Sequence, residues 1–427
     1  MLPRDNTLRH LFSVAVGTGL AYFSYGGEAA HPLLAMLATW LIMKVGEMAK
    51  MRKAAALLSF VFNLGYLLVC YFYVSSPDSY DVDFTMPMCT LTLRLIGTSI
   101  DLFDGGKAAD KVSADQAKTR LATTPGLLEF LGYGYFFPIH FVGPVCSFKR
   151  YQDFVSGALY VKEKNGKLPS PALASVTSFA IGAFYMAFHL VVGSKFPTMA
   201  MVDPAFGDNS LAYRWAYMWV CGNVVMMKYF GVWSIGNGAI QLVGLGYNGR
   251  DAQGNAKHDA LTSVRPLGYH FSTTLAGVVD SFNLPTNAWT KQHIFKRMAF
   301  LGNKEASALT ALMFLAIWHG FSAGYFLAFG LEFLDMAAER MAVKRFAAFT
   351  EAARNGNALV KWAWISTAWL IRTTALHYGV LAFDLLLWER SMTAYAQVHF
   401  VPHILLALLF AYLVFVPAAK SDKKKKQ

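Results

Sequence analysis

The stretch Ala306–Leu331, ASALTALMFLAIWHGFSAGYFLAFGL, decides the fold class of this chain. It is apolar along its length and exceeds the about 20 residues that a helix needs to cross the hydrocarbon core of a bilayer. Its one ionisable side chain, His319, stands near the middle. A titratable group at that depth is costly, so it is either a functional group or a hydrogen-bonded tie to a neighbouring helix. The stretch predicts a continuous membrane span that holds a polar site.

The composition of the whole chain agrees with this interpretation. Of 427 residues, 55% are hydrophobic and only 15% are charged, and the mean hydropathy is +0.37. Soluble domains are less apolar and more highly charged. Apolar segments occur near 11–25, 31–43, 54–74, 84–103, 127–145, 172–193, 211–227, 230–247, 306–331, 359–386 and 399–418. We expect an all-α polytopic membrane protein, with about nine to eleven transmembrane or re-entrant helices that enclose a reaction chamber.

The hydrophilic stretches between these segments are too short to bury a core of their own. We therefore expect a single membrane-embedded domain over residues 1–419, and we assign 11–25 as its first membrane segment instead of a cleaved signal peptide. Residues 420–427 form a basic tail, whose final KKKQ resembles a dilysine retrieval signal of the endoplasmic reticulum. The alternative is a contact with anionic lipid, and both interpretations put the C-terminus in the cytosol.

Charge and cysteine usage exclude several classes of protein. The net charge is +12, but the basic residues lie between apolar segments and in the tail, which favours lipid headgroups over nucleic acid. The four cysteines show neither a CxxC pair nor a zinc-ligand spacing. GFSAG, at 320–324, has the letters of GxSxG but lies inside an apolar stretch instead of between a strand and a helix, and no HExxH pair is present, so the sequence gives little support to hydrolysis through an acyl-enzyme or a metal.

A polar cluster precedes the His319 stretch in SFNLPTNAW, Ser281–Trp289. Its candidate site residues are Asn283, Thr286, Asn287 and Trp289. The basic run that follows, to Glu305, predicts a helix in the cytosolic interface, with Thr286 or Asn287 as N-cap after Pro285. Lys291 and Arg297 in this run suit either lipid headgroups or the anionic end of a nucleotide-bearing substrate.

A second candidate cluster is KYFGVW, in which Lys228, Tyr229 and Trp233 offer a cation beside aromatic rings. This group could hold a phosphate or serve as an ordinary interfacial anchor. The glycine-rich stretch that follows, 234–249, predicts a broken element that lines a cavity.

Three charged residues precede the hydrophilic stretch at Gly105. Asp101 and Asp104 fall where an apolar segment meets this stretch, and we interpret them as a helix end solvated at the membrane interface. Arg94 lies inside the same segment, where it could pair with Glu129 or line a cavity.

A buried histidine and asparagine can perform acyl transfer without a metal. A neutral imidazole can take the proton from a hydroxyl, and a nearby carboxamide can orient the acceptor or donate to a developing oxyanion. This combination suits the attack of an alcohol on an activated thioester.

Several stretches in a fixed order resemble the membrane-bound O-acyltransferase family, and its lysophospholipid acyltransferase branch in particular. They are DLFDGGK, FVGPVCSFKRY, KYFGVW, LVGLGYNG, SFNLPTNAW, FKRMAFLGNKE and LAIWHG. The likeness extends from about Leu11 to the tail. One departure is His258, which stands where the branch usually has tryptophan.

The resemblance implies a helical fold around a tunnel and a general-base role for His319, with Asn287 as its catalytic partner 32 residues earlier. It implies acyl-CoA as co-substrate, entering from the cytosolic side, and a lysophospholipid acceptor from the membrane, with neither cofactor nor metal. We expect Trp289 and Trp318 to line the chamber. Lys228, Lys291 and Arg297 are candidates for contacts with phosphate or CoA.

Two other functions remain open at this stage. The same fold could acylate a sterol, a diacylglycerol or a protein, although KYFGVW and the extent of the likeness argue against this. A lipid transporter could place the histidine and asparagine along a permeation path, but no internal two-fold repeat supports it. Headgroup preference, acyl-chain preference and oligomeric state are not readable from the sequence.

Overall fold

The computed structural model describes residues 5–74, 83–161, 163 and 168–416, so the predicted basic tail lies outside the described residues. The described residues form α-helices joined by short 3-10 turns, with a single isolated β-bridge between Arg250 and Ala256. The all-α prediction is confirmed. The helices are α1 (Asn6–Tyr25), α2 (Ala30–Met48), α3 (Arg52–Val74), α4 (Thr85–Gly105), α5 (Ala114–Thr119), α6 (Leu127–Gly134), α7 (Phe148–Val155), α8 (Ala172–Gly193), α9 (Leu211–Val243), α10 (Pro266–Phe271), α11 (Leu275–Val279), α12 (Leu284–His293), α13 (Lys304–His319), α14 (Ala323–Arg345), α15 (Ala347–Arg354), α16 (Ala358–Leu385), α17 (Trp388–Ala396) and α18 (Val401–Phe415).

The chain divides into two compact units. The first comprises Met1–Val191, Met227–Pro266 and Ser281–Phe321, and the second comprises Val192–Met226, Leu267–Asp280 and Ser322–Gln427. Helix α9 contributes its first half to the second unit and its second half to the first. Every candidate site residue named above belongs to the first unit.

Helix α4 is the centre of the first unit. It packs against α2, α3, α5 and α12, and it is buried almost all round. Leu93, Leu95 and Ile96 have no exposed surface, although they point in different directions round the helix. A helix that is buried on every face must be surrounded by other elements. This burial makes α4 a fixed support for the elements that dock on it.

Two predicted segments, 211–227 and 230–247, form one continuous helix, α9. The prediction of a broken, glycine-rich element is therefore wrong over most of that stretch. A Cβ at Gly231 would lie 2.5 Å from the sulfur of Met186, and one at Gly238 would lie 2.9 Å from the ring of Phe179. Both neighbours belong to α8, so these glycines allow two helices to approach closely.

The predicted span at 306–331 is not continuous. Helix α13 ends at His319, Gly320 has φ +125°, and α14 begins at Ala323. Helical residues have φ near −63°, so the chain must leave the helix at Gly320. The two resulting helices belong to different units. His319 therefore ends a helix instead of standing inside one.

The segment at 127–145 is also shorter in the structure than in the prediction. Helix α6 ends at Gly134, and a 3-10 turn at Phe137–Ile139 follows. Pro138 lies in this turn. An α-helix does not continue through it, because proline has no N–H to donate and its ring clashes with the preceding turn.

Within the described ranges, three helical stretches are long and apolar enough to cross a membrane: 6–48, 52–74 and 172–202. Helices α17 and α18, bent by 83°, would together form a fourth. The figure of nine to eleven spanning or re-entrant helices stays a prediction.

The second unit has its own core, in which α16 and α17 pack together. Tyr378 and Tyr395 lie with ring centroids 4.1 Å apart, and both side chains are fully buried. Leu381, Met218 and Cys221 complete the centre of this cluster.

Candidate active site

Asn287 lies in the second turn of α12, and a hydrogen bond fixes its carboxamide. Its Nδ2 donates to the main-chain carbonyl oxygen of Phe282 at 2.8 Å. The Phe282 ring packs in turn against Trp233, at a centroid distance of 4.8 Å, and Tyr229, at 6.3 Å. The aromatic residues of KYFGVW therefore hold the loop that orients Asn287. KYFGVW and SFNLPTNAW are separate clusters in the sequence, and the structure brings them into contact.

Helix α12 begins three or four residues before the start predicted from the sequence. Its N-cap is Asn283, with φ +47°, and not Thr286 or Asn287. Pro285 lies in the first turn, where a missing N–H removes no helical hydrogen bond, so the helix can start before it. Thr286 is a buried helical residue in the first turn. The left-handed conformation of Asn283 sets the direction in which Asn287 is carried.

Trp289 docks α12 on its neighbours. Its ring stacks between His293, at 4.9 Å, and Phe314 of α13, at 5.6 Å. Its Nε1 would lie 2.7 Å from a Cβ placed at Gly97, so the indole rests directly on α4. This tryptophan also lines the cavity described below.

His319 is the last residue of α13, and the preceding Trp318 holds the end of that helix. Trp318 donates from Nε1 to the carbonyl oxygen of Cys89 in α4, at 2.9 Å. Its ring lies 4.6 Å from the imidazole of His319. Cys89 and Gly97 are eight residues apart on α4, which corresponds to about 12 Å along the helix axis. The helices that carry Asn287 and His319 thus both dock on α4 through a tryptophan.

The three basic candidates have different surroundings. Lys228 lies over the ring of Tyr229, at 5.3 Å from its centroid. Lys291 is exposed. Arg297 donates from Nη1 and Nη2 to the two carboxylate oxygens of Asp104.

Asp101 and Asp104 correct the interpretation made from the sequence. The sequence predicts a solvated helix end, but both side chains are buried. Asp104 is neutralised by Arg297 and by Lys107, whose Nζ is 2.6 Å away. Arg297, which lies 193 residues away in the sequence, contributes to this burial, because a paired carboxylate can leave water at much lower cost than an isolated one.

A cavity of about 310 Å³ lies against one face of α12. Among the described residues that line it are Leu284, Pro285, Trp289 and His293 of α12, but neither Asn287 nor His319. Ala288 also lines the cavity, and Asn287 precedes it by one residue, or about 100° of helical rotation, so Asn287 lies on a different face of α12.

The cavity also contains polar groups that the sequence analysis did not select. His293 donates from Nδ1 to the Trp289 carbonyl oxygen at 3.1 Å, and its Nε2 lies 3.3 Å from Asp101 Oδ1. The same carboxylate oxygen accepts a hydrogen bond from Thr119 at 2.8 Å. Asp101 and His293 are 192 residues apart, so no local spacing signals the pair.

Within the described ranges, no group of three or more histidine, cysteine, aspartate or glutamate side chains is arranged to hold a metal ion.

The chain matches the family model of the membrane-bound O-acyltransferases over residues 69–380. This region carries Asn287, His319 and the helices that support them. The chain therefore belongs to the membrane-bound O-acyltransferase family, and the resemblance inferred from the ordered motifs is confirmed. The family is membrane-bound, in agreement with the apolar helices.

Individual relatives of the chain are named as lysophospholipid acyltransferases, which is more specific than the family name. The chain is 32% identical to lysophospholipid acyltransferase 5 from Homo sapiens, over 99% of this chain and 86% of the relative. It is 33% identical to the protein of the same name from Rattus norvegicus, over 99% of this chain and 87% of the relative. Lysophospholipid acyltransferase 1 from Arabidopsis thaliana is 26% identical, over 98% of this chain and 91% of the relative.

Proposed function

We propose that this chain is a lysophospholipid O-acyltransferase of phospholipid remodelling. It would transfer a fatty acyl group from acyl-CoA to the free sn-2 hydroxyl of a lysophospholipid, with lysophosphatidylcholine as the first acceptor to test, followed by the serine and ethanolamine forms. The observation that carries this proposal is the similarity to proteins named lysophospholipid acyltransferase 5 over 99% of the chain.

In the proposed mechanism His319 is the general base and Asn287 the orienting amide. The imidazole takes the proton of the acceptor hydroxyl as its oxygen attacks the thioester carbonyl. Collapse of the tetrahedral intermediate breaks the carbon–sulfur bond, and the imidazolium returns the proton to the leaving thiolate. The products are a phospholipid and free CoA, and no covalent enzyme intermediate is needed.

The position of His319 at a helix C-terminus supports this role. The last carbonyl groups of α13 carry a partial negative charge, which stabilises a positive charge on the imidazolium formed in the first step. Such an interaction contributes about 0.3–1 kcal/mol at an exposed helix end and up to about 2 kcal/mol where the group is partly buried.

The bond from Asn287 to Phe282 supports the second role. Because Nδ2 is directed at a main-chain carbonyl, the Oδ1 of the same planar amide points the other way and can accept from a hydroxyl or from an imidazole N–H. A carboxamide held in this manner needs no reorganisation when the acceptor binds.

The chemistry proposed here uses neither a metal nor a resident cofactor. The setting proposed is the endoplasmic reticulum membrane, with several spans, and the basic residues of 420–427 favour the cytosolic side for this segment. Lys291 and Lys228 remain candidates for contacts with the phosphates of CoA or of the lipid.

The test uses purified protein in mixed micelles with an acceptor panel. Lysophosphatidylcholine, -serine, -ethanolamine and -inositol are each supplied with saturated and polyunsaturated acyl-CoA, and sterol and diacylglycerol serve as alternative acceptors. We expect CoA release and phospholipid product with lysophospholipids, and a loss of at least about 100-fold in rate for His319→Ala and Asn287→Ala. The His399→Ala protein, altered at a histidine of the second unit, is the matched control.

Three outcomes would contradict the proposal. A folded His319→Ala protein with wild-type turnover would exclude the general base. Acylation of only a sterol, a diacylglycerol or a protein would move the chain to another acceptor class. Lipid flux across liposomes without CoA release would indicate a transporter.

A further inference from the structure

Arg94 is a buried cation in the wall of the α12 cavity. Its side chain is 1% exposed. Nη2 donates to the carbonyl oxygen of Gly134 at 2.5 Å, and the guanidinium lies 5.0 Å from the ring centroid of Tyr133. Within the described residues, Nε and Nη1 have no hydrogen-bond partner. Burial of a guanidinium with unsatisfied donors is costly unless an acceptor, and best an anion, binds it.

The one buried carboxylate of this cavity is already engaged. Asp101 lines the same cavity from two turns further along α4, but its Oδ1 accepts from Thr119 and faces His293. The other acidic residue in the lining, Asp259, is exposed and accepts from Asn248 at 2.8 Å. Arg94 therefore has no ion pair in the described part of the chain, and an anion from outside the protein would complete its surroundings.

Two helix N-termini add positive potential to the same space. Ser147, the N-cap of α7, lines the cavity, as do Leu284 and Pro285 from the first turn of α12. The first N–H groups of a helix lack intrahelical acceptors, and the macrodipole favours negative charge at this end. Helix N-termini are for this reason common phosphate sites.

We propose that this cavity is a phosphate-binding subsite, with Arg94 as its buried cation and the N-termini of α7 and α12 as supporting donors. The inference rests on the proposed function and deepens it, because both substrates of that reaction carry phosphate. The ligand is a phosphate ester anion, supplied either by CoA or by the phosphodiester of the lysophospholipid. Charge-assisted hydrogen bonds from the guanidinium to such a group would satisfy nitrogens of Arg94 that have no partner within the described residues.

Equilibrium binding to purified wild-type, Arg94→Gln and Arg94→Lys proteins tests the subsite. The ligands are two pairs that differ in phosphate: CoA with pantetheine, and lysophosphatidylcholine with 1-acylglycerol. We expect Arg94→Gln to weaken the phosphate-bearing member of one pair by about 10- to 100-fold, as for the loss of a charged hydrogen bond. Its phosphate-free counterpart should bind as before, and Arg94→Lys should be intermediate because lysine offers a single point charge.

The exposed Arg354 belongs to the second unit, is not among the residues that line the cavity and provides the matched control. Arg354→Gln removes the same charge from the surface and should weaken binding by less than about threefold, since exposed charges are screened by solvent. A loss confined to CoA identifies CoA as the phosphate source, and a loss confined to lysophosphatidylcholine identifies the lipid.

Unchanged binding of both phosphate ligands to folded Arg94→Gln would overturn the proposal and leave Arg94 as a packing residue. Should neither Arg94 variant fold, the wild-type protein decides: equal affinities within each ligand pair would overturn it as well. Because binding is measured without turnover, a chain that binds phosphate but transfers no acyl group would disprove the proposed function and retain the subsite.

Discussion

Trp318, the residue before the candidate base His319, donates a hydrogen bond from its indole Nε1 to the carbonyl oxygen of Cys89. The bond joins the C-terminal end of α13 to the most deeply buried helix of the first unit. The sequence predicts that this tryptophan lines a substrate chamber, and this stays a prediction. The contact shows in addition that Trp318 holds the end of α13, and with it the backbone that carries the imidazole.

Trp318→Phe should lower turnover more than it lowers stability. The substitution removes one hydrogen bond, with a net value of about 0.5–1.5 kcal/mol, and keeps most of the ring packing. Freedom at the end of α13 displaces His319, and we expect kcat to fall about tenfold with little change in KM. Initial rates at saturating substrate and a thermal unfolding curve check this. The exposed Trp362 gives the control, Trp362→Phe, and an unaltered kcat in Trp318→Phe would refute the positioning role.

Gly97→Ala should disturb the packing of α12 on α4. The new methyl group would lie 2.7 Å from Trp289 Nε1, closer than real side chains approach, so the indole must move. Overpacking of this kind costs about 1–3 kcal/mol, and we expect both the unfolding temperature and kcat to fall.

Gly65→Ala is the matched substitution in α3, where a Cβ would meet nothing within 4 Å. It should raise stability by about 0.5–1 kcal/mol, because alanine is the better helix former. Equal effects of the two substitutions would mean that contact with Trp289 does not matter.

Asn283 distinguishes a conformational role from a binding role. Its φ of +47° is readily adopted by glycine and strained for β-branched residues. Asn283→Gly should therefore keep near wild-type activity, whereas Asn283→Val should lose stability by about 1–2 kcal/mol, along with the orientation of Asn287. Measured kcat and unfolding temperatures of both variants decide. If Asn283→Gly is as inactive as Asn283→Val, the carboxamide itself contacts substrate.

Arg297→Ala should act on stability. Its two bonds to the buried Asp104 predict a loss of about 1.5–3 kcal/mol, limited by the remaining contact with Lys107. The KM for acyl-CoA should change by less than about threefold. Lys296→Ala, at the exposed neighbouring position, should leave the stability and the KM for acyl-CoA nearly unaltered. A large rise in KM without destabilisation would instead support the contact with CoA suggested by the sequence.

Apolar length and the order of motifs were enough to predict the all-helical class and the family. Each apolar segment needs only local information, and the motifs keep their order whatever the packing. The sequence also indicated Asn287 and His319 as candidates, because polar groups in an apolar setting are costly enough to stand out.

Features that depend on distant partners could not be predicted. The buried Asp104 is paired with Arg297, which is 193 residues away, and no local sequence pattern around either residue indicates this pairing. The glycines after Trp233 suggested a weak helix, whereas their role is contact with α8. Arg94 was recognised as able to line a cavity, but its unsatisfied nitrogens became visible only with the fold.

The backbone at Gly320, with φ +125° and ψ −164°, is a mirror image of ordinary extended chain. Amino acids of the natural hand strongly avoid it, while their D-enantiomers favour it. The backbone at position 320 therefore constrains the chirality of the residue more than its side-chain chemistry. A semisynthetic chain with D-alanine at position 320 should keep the backbone conformation between α13 and α14, whereas L-alanine should oppose it.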